Sequence, residues 1–274
     1  MAVRLVFMDL DDTFVSPDKT ITADNLRALD LAHERGVGVV PCTGRSAAGI
    51  PDELASHPSV RYAVCAGGAV IYDLRANEVL RELAIDKDLM LDLYGAVRDL
   101  PVTFDVLADG VVRTPRDRWP LLDRIAVSEP TRQQVKSVRV PYDGTVEELV
   151  SGAGSVGRVN IFYLTEKDRK AVWDAVDARP ALCRSSSLPC NVEVTRADAT
   201  KGTALLWLCE RLGVSPEDTV AFGDSTNDVP MLLVAGDGVA MANACPECLA
   251  AADHVTASCS ESGVARYLEN LFLA

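Results

Sequence analysis

A short run of mostly apolar residues, Val3-Arg4-Leu5-Val6-Phe7-Met8, stops at Asp9. Near-continuous apolarity over that length suits a strand buried on both faces of a parallel sheet. Ser16-Pro17-Asp18-Lys19, within residues 14–21, then marks a turn. Next, Leu26, Leu29 and Ala32 recur at helical spacing, with Thr22 placed to cap the start and Gly36 to end it. Val37-Gly38-Val39-Val40 and Tyr62-Ala63-Val64-Cys65 read as further buried strands. The rhythm resumes late in the chain. Residues 201–212 predict a helix ended by Gly213, and Thr219-Val220-Ala221-Phe222 a strand. A helix through Met231-Leu232-Leu233, short strands at Gly238–Met241 and His254-Val255, and a closing helix over 262–272 follow. Strands alternating with helices specify an α/β fold, a Rossmann-like doubly wound parallel sheet.

The middle of the chain has a different period. Residues 102–107 and 110–114 predict a hairpin around Asp109-Gly110, and strand-like runs recur at 135–140, 156–163 and 191–195. Helical stretches lie at 86–99, 145–151 and 167–178. This pattern predicts an α/β unit inserted into the first, so that residues 1–82 and 190–274 form the core and 83–189 the insertion.

Ligands of open parallel sheets gather beyond the carboxyl ends of the strands. The predicted core strands deliver Asp9 and Asp11, then Thr43, then Gly223-Asp224-Ser225-Thr226-Asn227-Asp228 to that edge, and Lys201 opens a nearby helix. Turn and helix-cap roles would explain any one of these aspartates alone. Converging carboxylates repel one another unless a cation binds or protons are taken up. Hard oxygen donors with little histidine nearby favour magnesium over zinc.

Charge narrows the partners. The chain carries 27 basic and 40 acidic side chains, a net −13, which argues against nucleic acid and against anionic membrane surfaces. A small phosphorylated substrate stays compatible, because a metal and a few local cations invert the field within one cleft. The opening segment MAVRLVFMDL lacks the pattern of a secretory signal, and no apolar run is long enough to span a bilayer. The eight scattered cysteines are therefore expected as reduced thiols in a cytoplasmic protein. Cys245-Pro246-Glu247-Cys248 has the CxxC spacing, but no second pair of matching spacing exists to complete a zinc site. Two ordinary thiols near a helix start are expected there. His33, His57 and His254 share no ligand-like spacing, and Trp119, Trp173 and Trp207 are expected in packing roles.

Asp9-Leu10-Asp11-Asp12-Thr13, Thr43-Gly44-Arg45, Lys201-Gly202 and Gly223-Asp224-Ser225-Thr226-Asn227-Asp228 resemble the four motifs of the haloacid dehalogenase superfamily. Their order and spacing are similar to its Cof-type branch of phosphatases. The resemblance runs nearly end to end, includes Ser262-Gly263-Val264-Ala265, and is weakest in the middle. It implies that Asp9 attacks phosphorus to form an aspartyl-phosphate. Asp11 would protonate the leaving oxygen and then activate water. Thr43 and Lys201 would hold the phosphoryl group, joined at the substrate by Gly44, Arg45 and Asn227. Magnesium would sit on Asp9, Asp224, the backbone carbonyl of Asp11 and Asp228. The insertion would act as a cap that closes over the core and selects the substrate, a small phosphorylated metabolite and by expectation a sugar phosphate. Relatives often have Asn-Gly-Ala where this chain has Gly67-Gly68-Ala69, so one substrate or hinge contact differs. A phosphosugar mutase would share this core. A phosphoacceptor switch or a non-catalytic binding protein are further readings of the same residues. The oligomeric state is not written in the sequence.

Overall fold

The computed structural model describes residues 3–186 and 188–273. The chain forms two units, one from residues up to Glu82 and from Ala199 onward, the other from Leu83–Asp198.

The first unit opens with β1 (Leu5–Asp9), α1 (Ala23–Glu34), β2 (Gly38–Cys42), α2 (Asp52–Ala55), β3 (Tyr62–Cys65), β4 (Val70–Asp73) and β5 (Glu78–Glu82). The second contains α3 (Lys87–Val97), β6 (Asp105–Ala108), β7 (Val111–Pro115), α4 (Glu129–Ser137), β8 (Val140–Tyr142), α5 (Val146–Gly152), β9 (Val156–Phe162), α6 (Glu166–Asp177), β10 (Leu182–Ser185) and β11 (Asn191–Arg196). The chain then returns through α7 (Lys201–Leu212), β12 (Thr219–Gly223), α8 (Val229–Val234), β13 (Asp237–Ala240), α9 (Pro246–Ala251), β14 (His254–Val255) and α10 (Gly263–Leu273).

The first sheet has the order β14-β13-β12-β1-β2-β3-β4-β5. Its strands run parallel from β14 to β3, and β4 and β5 add an antiparallel edge. All five residues of β1 are buried. Val6 and Met8 pack on one face among residues of α1 and α10, Leu5 and Phe7 on the other among residues of α7 and α8. Two-sided burial explains the unbroken apolar run, and each such side chain contributes roughly 1.5–3 kcal/mol. Between β12 and β2 the chain path reverses direction away from β1. That is the switch point where an open sheet parts its loops.

Helix ends follow the residues read as caps. The Thr22 side chain accepts from the Asn25 amide at 3.2 Å, and Gly36 takes φ +71° just past α1. Thr200 caps α7, and Gly213 ends it at φ +64°.

The second sheet has the order β10-β11-β9-β6-β7-β8. Val106, Val159, Ile161, Val192 and Val194 are buried in one cluster with Met90 and Leu93 of α3, Leu149 and Val150 of α5, and Val172 and Val176 of α6.

Two expectations are corrected and one hairpin is added. The strand expected at 135–140 is largely the end of α4, whose Ser128 cap accepts from Thr131 and whose first turn holds Pro130. Val135 is its buried residue, too sparse an apolar stripe to reveal a helix. Only Val140–Tyr142 of that region is strand. The expected boundary at 189/190 moves to 198/199, because β11 pairs antiparallel with β9 in the second sheet. The β4–β5 hairpin was not anticipated; its exposed, mixed composition hides an edge strand.

Candidate active site

Asp9 ends β1 at the sheet's carboxyl edge, where Cys42 is its neighbour on β2. Gly223 ends β12 on the other side, and Asp224 follows it. The loops after β1, β2 and β12 thus bring their polar residues together.

Lys201, the first residue of α7, is fully buried. Its Nζ lies 2.5 Å from Asp9 Oδ1 and 2.5 Å from Asp228 Oδ1. Two glycines make this possible. A Cβ on Gly68, which has φ +113°, would lie 2.2 Å from the Thr200 carbonyl carbon, so only glycine lets this loop press on the start of α7. A Cβ on Gly223 would lie 2.3 Å from that of Asp228, so only glycine lets Asp228 fold back onto the strand end. There Asp228 Oδ2 accepts from the amides of Asp224 at 3.1 Å and Ser225 at 3.0 Å.

Asp9, Asp224 and Asp228 bring one carboxylate oxygen each within 4.8 Å of one another. Three carboxylates facing one ammonium leave about two negative charges uncompensated. Burial raises the Asp9 carboxyl well above its usual range; Lys201 opposes this, while Asp228 and Asp224 reinforce it. Burial would push the Lys201 ammonium down, but Asp228 and Asp9 overrule it and hold Lys201 protonated. Burial, with Asp228, lifts Asp224 to about 6. A buried, all-oxygen donor set short of positive charge fits a hard divalent cation. Asp9, Asp224 and Asp228 are the side chains that could hold it; Lys201 already meets Asp9 and Asp228, and Asp228 also accepts from two backbone amides.

A pH dependence follows. Without metal, the folded chain keeps a proton on Asp224 that the unfolded chain has released between about pH 4 and 6, so this contribution to stability is lost as pH rises through that window. A cation must displace that proton. Affinity for magnesium is expected to climb with pH through the range in which Asp224, and with it Asp9, gives up its proton. Titration calorimetry in buffers of different ionisation enthalpy, at about pH 5 and about pH 7.5, checks it. Equal affinity with no proton release at the lower pH contradicts it.

The side chain of Asp11 stands apart from the three-carboxylate cluster. Arg45 reaches it through Nη2 at 2.6 Å and Nε at 3.0 Å, and Lys19 through Nζ at 2.9 Å. Burial works against ionisation, but Arg45 and Lys19 hold its carboxyl below the usual range. Thr43 is buried, and its Oγ1 accepts from the Arg45 amide at 3.1 Å. At Gly44 a Cβ would meet nothing within 4 Å, so the space beside it is open. Asn227 is exposed, and its Oδ1 accepts from Ser225 Oγ at 2.8 Å. Arg45 is therefore tied to Asp11 here, and Asn227 to its own loop.

Lys19 was read only as part of a turn. Its reach to Asp11 depends on Val15 bridging both Asp11 and Ile21, a pairing no short motif announces. Thr13 donates to Asp224 Oδ1 at 3.0 Å. Asn243 donates to the Asp12 carbonyl at 2.8 Å and accepts from the Cys259 amide at 2.9 Å, so it ties the first loop to the C-terminal part of the chain. Nothing in the sequence around it signals that role.

Comparison with known proteins places this geometry in context. The family described as haloacid dehalogenase-like hydrolase matches residues 6–268. The chain is similar to phosphatase YwpJ of Bacillus subtilis (strain 168), 29% identical over 98% of this chain and 100% of the relative. It is also similar to the pyridoxal phosphate phosphatase YbhA of Escherichia coli (strain K12), 29% identical over 98% of both chains. A haloacid dehalogenase-like hydrolase of B. subtilis has a similar solved structure, with TM-score 0.81 and 27% identity over 98% of this chain and 100% of that one.

Proposed function

We propose, on the premise that this chain belongs to the haloacid dehalogenase-like hydrolase family and is a phosphatase, that it hydrolyses small phosphorylated metabolites, sugar phosphates foremost, through a phosphorylated Asp9 with magnesium as cofactor. The observation that carries the reading is Asp9 at the switch point of the sheet, locked by Lys201 beside Asp224.

Asp9 and Asp224, with the Asp11 carbonyl, would hold magnesium, which when bound would supply the positive charge that lets a carboxylate approach a phosphate dianion. Lys201 holds one Asp9 oxygen and leaves the other to attack phosphorus. The phosphorus–oxygen bond to the leaving alcohol breaks, and Asp11 gives that oxygen its proton. Water then attacks the aspartyl-phosphate, Asp11 takes the proton from water, and inorganic phosphate and the Asp9 carboxylate are restored. The Asp11 anion between Arg45 and Lys19 is the form that serves this second half. The proton that Asp11 takes from water is the one it gives to the next leaving oxygen, and to carry it Asp11 lets go of those two cations. Thr43 and Lys201 stabilise charge spreading over the phosphoryl oxygens. Arg45, Gly44 and Asn227 border the incoming ester.

We assign the choice among esters to the 83–198 unit, where the family pattern is weakest. We assign the protein to the cytosol, a reading that its eight free thiols support. Among the described residues no helix is long and apolar enough to cross a membrane.

Phosphate release from a panel of sugar phosphates and pyridoxal phosphate, with and without chelator, tests the reading. Magnesium-dependent release of inorganic phosphate is expected. Turnover unaffected by chelation, or isomerised sugar phosphate without phosphate release, overturns it; the latter result is that of a mutase.

A further inference from the structure

Cys245 and Cys248 lie directly behind the loop that carries Asp224 and Asp228. The Cys245 amide donates to the Asp224 carbonyl at 2.8 Å. The Cys248 thiol donates to the Ser225 carbonyl at 3.4 Å. Cys245 caps the first turn of α9, which the Leu249 amide closes by donating to the Cys245 carbonyl at 3.0 Å, so Cys248 lies one turn along the same short helix. Cys245 is partly exposed, whereas Cys248 is fully buried. Residues three apart at this position of a helix have Cα atoms about 5–6 Å apart, inside the range a disulfide spans.

We propose that Cys245 and Cys248 form a reversible intramolecular disulfide that switches off the Asp224–Asp228 loop. The co-reactant is a hydroperoxide, which meets the partly exposed Cys245 thiol first. The Cys245 sulfur attacks the peroxide, the O–O bond breaks, and a sulfenic acid and one water (or alcohol) result. The Cys248 sulfur attacks the sulfenic sulfur, its proton leaves with the hydroxyl group, and a second water departs as the S–S bond forms. Two thiols are oxidised by two electrons in all, and one peroxide is reduced.

The bond and the loop compete for the same atom. Sγ of Cys248 cannot keep its proton for the Ser225 carbonyl once it joins Cys245. That carbonyl is left without its thiol donor, one residue from Asp224 and within the turn whose amides hold Asp228. The other cysteines are poorer candidates. Cys42 adjoins Thr43 but is fully buried, and Cys183 is exposed but belongs to the second unit.

The loss of activity rests on the proposed role of Asp224; the disulfide itself does not. Reduced protein is first assayed for magnesium-dependent phosphate release, then treated with hydrogen peroxide and quenched by thiol alkylation. Peptide mass spectrometry is expected to find the Cys245–Cys248 disulfide. Activity should fall at least fivefold and return with dithiothreitol. Cys245→Ser and Cys248→Ser should each keep the reduced protein's activity and lose most of its peroxide sensitivity. Absence of the disulfide overturns the proposal outright. A disulfide that leaves activity unchanged, or inactivation that persists in both variants, overturns the switch. No phosphate release by the reduced protein, with the disulfide still found, counts against the catalytic reading instead.

Discussion

Asp9→Asn is expected to lower phosphate release on the order of 10⁴-fold or more, because an amide cannot form the phosphorylated intermediate. The change is nearly isosteric, so packing at the end of β1 survives. It also removes one of three crowded carboxylates beside a single ammonium, so the metal-free protein should melt at the same temperature or higher. Steady-state kinetics and a thermal melt on the same preparation separate the two effects. Activity within tenfold of the parent would exclude Asp9 as the nucleophile, whatever the melt shows.

Lys201→Met is expected to damage both stability and activity. The ammonium is fully buried between Asp9 and Asp228, and no water reaches it to take over. Removing it leaves carboxylates buried without a cation, a change that costs about 3–5 kcal/mol in comparable sites. Denaturant unfolding without metal measures it, and a loss below about 1 kcal/mol would contradict the structure's account of this cluster. Pairing the change with Asp228→Asn should recover part of the loss, because the two residues share one interaction. Activity of the single variant should fall on the order of 10²–10³-fold, the effect of deleting one fixed charge at the reacting centre.

Both predictions concern residues that short stretches of sequence bring to notice. Asp9 terminates a run whose two-sided burial makes it visible, and Lys201 follows a threonine cap. The second unit was harder to read. The α4 helix buries a single valine, so its period is lost in polar residues, and β11 was separated from its own sheet because strand partners are not encoded locally. Lys19 illustrates the same limit within the site. Its contact with Asp11 spans eight residues and exists only because a tight turn, with Lys19 itself at φ +66°, folds the chain back.

The sequence by itself determined the alternation of strand and helix and the acidic residues at strand ends, because both follow from local patterns of burial and capping. It also carried the order of motifs that marks the family. Only the tertiary structure decided which charges meet. Asp11 leaves its neighbours for Arg45 and Lys19, Asp228 meets Lys201 and two amides, and Asp9, Asp224 and Asp228 share one carboxylate cluster. The two thiols read as ordinary proved to sit behind Asp224 for the same reason. Electrostatic pairing depends on distances between elements far apart in the chain, and those distances are set by how helices and strands pack.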